Sequence, residues 1–162
     1  QENDTANFLA KPDSMDAFIE EVVAMCDAVG AQLHNPRKLM LSFDEWHVWF
    51  HSASTPEQLG LERWSEAPPI LEDIYTFEDA LVVGGMLISL MNHADRVKIG
   101  CIAQIVNVIA PIMTSTGGAA WRQTIYWPLL QASNYGRGVV LQAIVDSPLY
   151  DCPEKQGVQT LK

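Results

Sequence analysis

Apolar side chains recur at helical spacing early in the chain. Met15, Phe18, Ile19, Val22, Val23 and Cys26 form one stripe, and Asp16, Glu20, Glu21 and Asp27 fill the opposite face. This spacing predicts an amphipathic helix over 13–29, begun by Asp13 or Ser14 and stopped by Gly30. The run LMLSF at 39–43 is short and almost continuously apolar. It predicts a strand buried on both faces, as in a parallel sheet. In 44–75, acid, aromatic and imidazole groups at 44–51 follow the strand directly, and a long polar loop rich in Ser, Glu and Pro comes next, ending at Pro68-Pro69. A loop of that length inside a domain implies a task. Thr76 and Asp79 then have the spacing of a capping box ahead of 77–91, a segment apolar nearly all round and so predicted to be an enclosed helix. Gly84-Gly85 within it marks close packing.

Val97, Ile99, Cys101 and Ile102 predict a second buried strand. A Gly117-Gly118 turn precedes an expected helix over 119–130, and Val139 to Val145 reads as a third strand after Gly136-Arg137-Gly138. The order helix, strand, helix, strand, helix, strand places the chain in the α/β class. A helix of several turns between the first two strands makes them parallel neighbours joined by a right-handed crossover. In such folds function gathers beyond the carboxyl ends of the strands. Asp44-Glu45 follows the first strand there, and Gln104 follows the second.

The net charge of −10 argues against a nucleic-acid partner, whose footprint is basic. The acids are concentrated in one half: residues 1–80 hold sixteen acids and four bases, and 81–162 hold four acids and six bases. The first half is therefore expected to be the more solvated. The most apolar stretch, 99–113, is broken by Gln104, Asn107 and Pro111 and is shorter than the ~20 residues a spanning helix needs, so no membrane partner is expected. Cys26, Cys101 and Cys152 are odd in number and form no C-x-x-C pair, which predicts reduced, buried thiols in a cytoplasmic protein. No signal sequence is evident, and an opening without Met with an abrupt end at Lys162 predicts a segment cut from a longer chain.

Glu45 is the leading candidate for chemistry. A carboxylate at the tip of a buried strand is costly unless it is paired, open to a cleft, or used. Position alone leaves a salt-bridged or capping carboxylate as open as a reactive one. Trp46, Trp49 and Phe50 beside it resemble the wall of a carbohydrate cleft, although Trp49 could equally serve core or subunit contact. His47 and His51 stand i, i+4, a metal-binding spacing on a helix, but no third ligand accompanies them; His34 and His93 read as surface or packing residues. Gln104 and Asn107 are either satisfied amides or sugar-binding groups. G-x-S-x-G, P-loop and G-x-G-x-x-G motifs are absent, which removes serine-hydrolase and nucleotide readings.

The segment LSFDEWHVWFHS at 41–52 resembles the nucleophile segment of glycoside hydrolase family 51, the α-L-arabinofuranosidases. NDTANFLA at 3–10, APPILEDIYTFEDA at 67–80, HADRVKI at 93–99, AQIVNVIAPI at 103–112, AWRQTI at 120–125 and YGRG at 135–138 are similar to further stretches of the family. The likeness runs through essentially the whole chain.

The resemblance implies a retaining glycosidase with a (β/α)8 TIM barrel followed by a β-sandwich. Residues 1–135 would be the C-terminal part of the barrel, including its seventh and eighth strands, and 136–162 the start of the sandwich. Glu45 would be the nucleophile, Trp49 would line the arabinose pocket, and Gln104 would hydrogen-bond the sugar or help hold the nucleophile. The family's acid/base lies in an Asn-Glu motif, and no Asn-Glu dipeptide occurs here. A full barrel needs ~250 residues, so the isolated chain is expected to be inactive and poorly soluble. No metal or other cofactor is implied. The substrate would be an arabinose-containing oligosaccharide or polysaccharide, and the parent protein a cytoplasmic homo-oligomer. The family commonly has Asn where this chain has His47. A retaining barrel glycosidase for xylose or glucose linkages, or a non-catalytic sugar-binding or assembly module, are the alternatives.

Overall fold

Pro12 fixes the backbone for a first helical turn without needing a donor, and the long helix of the chain begins there. The computed structural model describes residues 4–49, 60, 62, 64, 66 and 72–162. Its elements are α1 (Thr5–Leu9), α2 (Pro12–Gln32), β1 (Leu41–Trp46), α3 (Phe77–Asn92), β2 (Val97–Ile102), β3 (Ile112–Thr114), β4 (Ala120–Arg122), α4 (Tyr126–Tyr135), β5 (Leu149–Cys152) and β6 (Lys155–Gln159).

β1 and β2 run parallel, with Leu41 opposite Val97, Phe43 opposite Gly100 and Trp46 opposite Ile102. α3 connects them, which gives the expected β-α-β unit. Buried residues from every part of that unit meet those of α2 in one core: Trp46 and Val48 at the end of β1, Val82 and Val83 of α3 and Val97 of β2, with Met15 and Ile19 of α2, Tyr75 and Ile125. The capping box forms as expected. Thr76 N–H donates to Asp79 Oδ2 at 2.5 Å, and Asp79 N–H returns to Thr76 Oγ1. The buried Asp79 carboxylate is thereby satisfied by the helix it starts.

The two adjacent glycines of α3 face different neighbours. A Cβ on Gly85 would lie 2.6 Å from Pro12 Cγ, whereas one on Gly84 would meet Pro128 Cβ at 3.7 Å, an ordinary contact. Gly85 is thus where α2 approaches α3. Gly85→Val is expected to destabilise the fold by about 1–3 kcal/mol through overpacking against a rigid ring. Gly84→Ala is expected to stabilise by up to ~1 kcal/mol through helix propensity. Urea unfolding of the two variants should therefore show midpoints displaced in opposite directions.

Several expectations need correction. α2 runs through Gly30 to Gln32 and ends where His34 adopts a left-handed φ of 51°, and neither Asp13 nor Ser14 caps its start. β1 begins at Leu41 because Arg96 takes the Leu39 carbonyl with Nε and Nη2, while its other guanidinium contacts form a bidentate pair with Asp27. Ser42, Asp44 and Glu45 of β1 are exposed, as are Phe77 and Leu81 of α3, so neither element is enclosed on all sides by the described residues. The expected helix over 119–130 is instead β4 followed by α4. The Gly117-Gly118 turn folds Ala120 back onto Thr114 as an antiparallel pair, and a start at Tyr126 puts Pro128 in the first turn, where its missing N–H leaves no bond unmade. Residues 139–145 form no strand. No backbone partner lies beside them among the described residues, and Val139 and Ile144 stand 87% and 94% exposed. The thiols are less buried than expected: Cys101 is exposed, and Cys26 and Cys152 are half-buried.

The β5–β6 hairpin closes the chain against α1 and α2. Asn7 Nδ2 donates to Glu154 Oε1 at 2.8 Å, Lys11 pairs with Glu154 at 2.5 Å, Tyr150 Oη donates to the Ala6 carbonyl, and Lys162 pairs with Asp13 and Asp16. No helix among the described residues is long and apolar enough to cross a membrane.

Candidate active site at the end of the parallel strand pair

The alternation of half-buried Leu41 and Phe43 with exposed Ser42 and Asp44 breaks at the irregularity between Phe43 and Trp46, and that break separates two neighbouring residues. Trp46 turns into the core, and Glu45 points out of it at the carboxyl end of the strand. Glu45 has neither an ion-pair nor a hydrogen-bond partner among the described residues. Asp44 next to it is occupied, accepting from the Ser42 hydroxyl. Trp49 is 54% exposed beyond the strand end. Phe50 and His51 lie outside the described residues, so the aromatic wall is described only at Trp46 and Trp49 and the His47/His51 spacing is not described at all. Among the described residues no three metal-ligating side chains converge.

Because Trp46 pairs with Ile102, the tail of β2 emerges at the same end as Glu45. Gln104 follows there, exposed, with Nε2 donating to the carbonyls of Val106 and Asn107, both at 3.1 Å. Asn107 takes the structural role of the two open to it. In a left-handed conformation, φ 62°, it exchanges bonds with Thr114, whose N–H donates to Asn107 Oδ1 at 2.7 Å. Of the three residues singled out, Glu45 and Gln104 thus flank the ends of paired strands, and Trp49 lies four residues past the carboxylate. Of the remaining histidines, His93 contacts Asp16 at 3.2 Å at the end of α3, a packing role.

His47 is half-buried. Its Nδ1 lies 2.6 Å from the Val48 carbonyl, and its ring stacks on Tyr75 with centroids 5.2 Å apart and planes 23° apart. A carbonyl can only accept, so Nδ1 carries the proton, and buried Nε2 has no hydrogen-bond partner among the described residues. Burial holds the imidazole below its usual pKa, outweighing the Val48 and Ile109 carbonyls and the Asp73 and Asp79 carboxylates, which favour the charged form. Burial also pushes the Tyr75 phenol well above its usual range, with Asp73 and Asp79 adding to the effect.

A histidine pKa lowered by folding means the unfolded chain binds more protons in acid. The stability His47 contributes is therefore complete above about pH 6.5 and declines as pH falls through its lowered folded value. The thermal midpoint is expected to drop between pH 7 and 5, and His47→Asn to flatten that part of the curve. Asp27 and Glu154, held low by hydrogen bonds from Arg96 and from Lys11 and Asn7, act separately, below about pH 4.

One residue here escaped the sequence reading. Gln123 is buried, and each end of its amide is used: Oε1 accepts Tyr75 N–H at 3.1 Å, and Nε2 donates to the carbonyls of Ala110 at 2.9 Å and Asp73 at 3.2 Å. Its own N–H donates to Pro111. Thr124 Oγ1 donates to the carbonyls of Tyr75 and Thr76. An amide set between Trp121 and Ile125 was the available signal, but its partners lie up to fifty residues away.

The chain matches the family model described as the α-L-arabinofuranosidase C-terminal domain over residues 44–160. It is 56% identical, over its whole length, to an intracellular exo-α-(1→5)-L-arabinofuranosidase of Acetivibrio thermocellus, covering 33% of that protein. It is 59% identical over 93% of its length to the enzyme of the same name from Halalkalibacterium halodurans, covering 30% of it. Among solved structures it superposes on a family 51 α-L-arabinofuranosidase from Bifidobacterium longum with a TM-score of 0.84 and 34% identity, covering 96% of this chain and 32% of that one. The chain spans about a third of the length of the curated relatives it matches.

Proposed function

Because this chain belongs to the α-L-arabinofuranosidase C-terminal domain family of glycoside hydrolase family 51, we propose that it is the C-terminal part of the catalytic unit of a retaining α-L-arabinofuranosidase. β1 and β2 are its last two barrel strands, residues 1–135 belong to a (β/α)8 barrel, and 136–162 begin a β-sandwich. The enzyme removes terminal non-reducing α-L-arabinofuranosyl residues from arabinose-containing oligosaccharides or polysaccharides. The names of the relatives, intracellular exo-acting arabinofuranosidases, support that substrate class and a cytoplasmic site of action. A homo-oligomeric parent is part of the same proposal.

The observation that carries the reading is the Glu45 carboxylate, exposed and without a partner among the described residues, at the carboxyl end of one strand of a parallel β-α-β unit. Retaining glycosidases set two carboxyl groups ~5–5.5 Å apart across the anomeric carbon. Glu45 attacks that carbon from one face, forming a glycosyl ester as the bond to the leaving oxygen breaks. A second carboxyl group, outside this chain, gives its proton to the departing oxygen. It then takes a proton from water, which attacks the same carbon, releases arabinose and returns Glu45 as a carboxylate. Trp49 offers an apolar ring to the sugar face, and Gln104 an amide to its hydroxyls.

A panel of aryl glycosides offered to the full-length protein tests the substrate class. Hydrolysis of the α-L-arabinofuranoside well above the β-xyloside and β-glucoside is expected. The opposite order would assign the site to another sugar, and no hydrolysis of any would leave a non-catalytic module.

A further inference from the structure

We propose that His47 is a positioning residue for the nucleophile, its imidazole clamping the backbone that follows Glu45 onto a platform made by Tyr75 and Gln123. The inference rests on the glycosidase reading of Glu45 and deepens it.

Glu45 has no side-chain partner among the described residues, so its aim is set by its backbone. That backbone is at the end of a strand, where ladder bonds run out: the pairing of β1 with β2 is irregular between Phe43 and Trp46 and stops there. Beyond the ladder, burial of Trp46 and Val48 anchors the segment by its apolar side chains, and His47 between them is the polar group placed to set its orientation. Its Nδ1–H donates to the Val48 carbonyl at 2.6 Å, which fixes the ring against its own backbone. One ring face lies on Tyr75 at a centroid distance of 5.2 Å.

Tyr75 is itself held from behind. Its N–H is taken by Gln123 and its carbonyl by Thr124, and Gln123 also holds Ala110 and Asp73 through their carbonyls. Buried amide and hydroxyl bonds of this kind are costly to break, because each partner would be left unsatisfied away from water. The platform is therefore stiffer than the strand end resting on it. A chain of contacts runs from the stretch after β2, through Gln123 and Tyr75, to the residue two positions past the carboxylate.

The clamp has a protonation state. The neutral Nδ1–H tautomer satisfies the Val48 carbonyl and leaves buried Nε2 as a lone pair. Protonation would place a charge there, facing the Tyr75 ring, the Ile109 carbonyl from the loop before β3, Asp73 from the stretch before α3 and Asp79 from its first turn. Burial opposes that charge, so the clamp loosens in acid.

The test uses the full-length enzyme with an aryl α-L-arabinofuranoside and two variants. His47→Leu fills the space without a donor, and His47→Asn keeps an amide N–H near the position of Nδ1. Both are assayed where circular dichroism shows them folded. Misplacing the nucleophile raises the barrier without changing ground-state binding. The Leu variant should therefore lose kcat by about 10²-fold while KM stays within about 3-fold. The Asn variant should recover most of that loss, and its kcat/KM should lack the part of the acid limb that His47 contributes. An active wild type whose Leu variant is unchanged, or whose Leu and Asn variants lose kcat equally, overturns the inference alone; so does a rise in KM with kcat intact. A wild type inactive on every glycoside overturns the glycosidase reading and this inference with it.

Discussion

Glu45→Ala in the full-length protein should reduce arabinofuranoside hydrolysis by about 10⁴- to 10⁶-fold, the scale seen when a covalent nucleophile is removed. KM should change only a few-fold, because the carboxylate forms a bond in the transition state and contributes little to holding the ground state. Stability should hardly move: the side chain is exposed and has no partner among the described residues to leave unsatisfied. Azide added to the variant should restore part of the rate by entering the space left by the carboxylate. It would attack the same face and give the glycosyl azide of inverted anomeric configuration. Unchanged hydrolysis by the variant would remove Glu45 from the chemistry and favour a sugar-binding or assembly role for this part of the chain.

The second large effect concerns the 162-residue chain alone. It is expected to show no arabinofuranosidase turnover above the uncatalysed rate and to associate in solution. The proposed acid/base is not among its residues, and a nucleophile without a proton donor expels an alkoxide poorly. Its surface is also unusual for a free domain. Phe18, Met25, Val29 and Leu33 stand exposed along α2, together with Leu39 and Met40 before β1. The strands occur as pairs of two among the described residues, a size of sheet that is marginal in water by itself. Exposed apolar faces and open strand edges both recruit other chains. Size-exclusion chromatography with an activity assay checks both parts. A monodisperse chain with turnover that Glu45→Ala abolishes would mean the second carboxyl group lies within it after all.

What the sequence made legible was mostly local. The Thr76/Asp79 box and the apolar run after it predict α3 because a cap and its helix are decided within one turn. The parallel pairing of β1 and β2 followed from one helix between two apolar runs, a rule of connectivity that needs no distant partner. Failures arose where distant backbones decide. Ala120 to Arg122 becomes a strand because Thr114 lies within reach across a turn, and 139–145 remains irregular because no strand pairs with it among the described residues. Pro128 could have corrected the first of these, since it marks an early turn of a helix and not the interior of one beginning at 119.

The site divides in the same way. Glu45 was singled out from its place after an apolar strand, and the structure distinguishes it from its neighbour: the Asp44 carboxylate accepts from Ser42, and the Glu45 carboxylate has no partner among the described residues. Gln104 was singled out similarly, and its Nε2 donates to the carbonyls of Val106 and Asn107. Asn107, equal to it by spacing, proved to be a turn residue bonded to Thr114. Gln123 was missed because its function is to join Asp73, Tyr75 and Ala110, and no periodicity encodes such a junction. His47 was noted for a metal-binding spacing whose other member, His51, lies outside the described residues; its contacts among the described residues include the Val48 carbonyl and the ring and hydroxyl of Tyr75.

The most direct measurement is to inactivate the full-length protein with a 2-fluoro arabinofuranosyl donor, which slows release of the covalent intermediate, and to find the labelled peptide by mass spectrometry. The account predicts one equivalent of sugar, esterified to Glu45. A label on any other side chain, or complete inactivation with Glu45 unmodified, would contradict it.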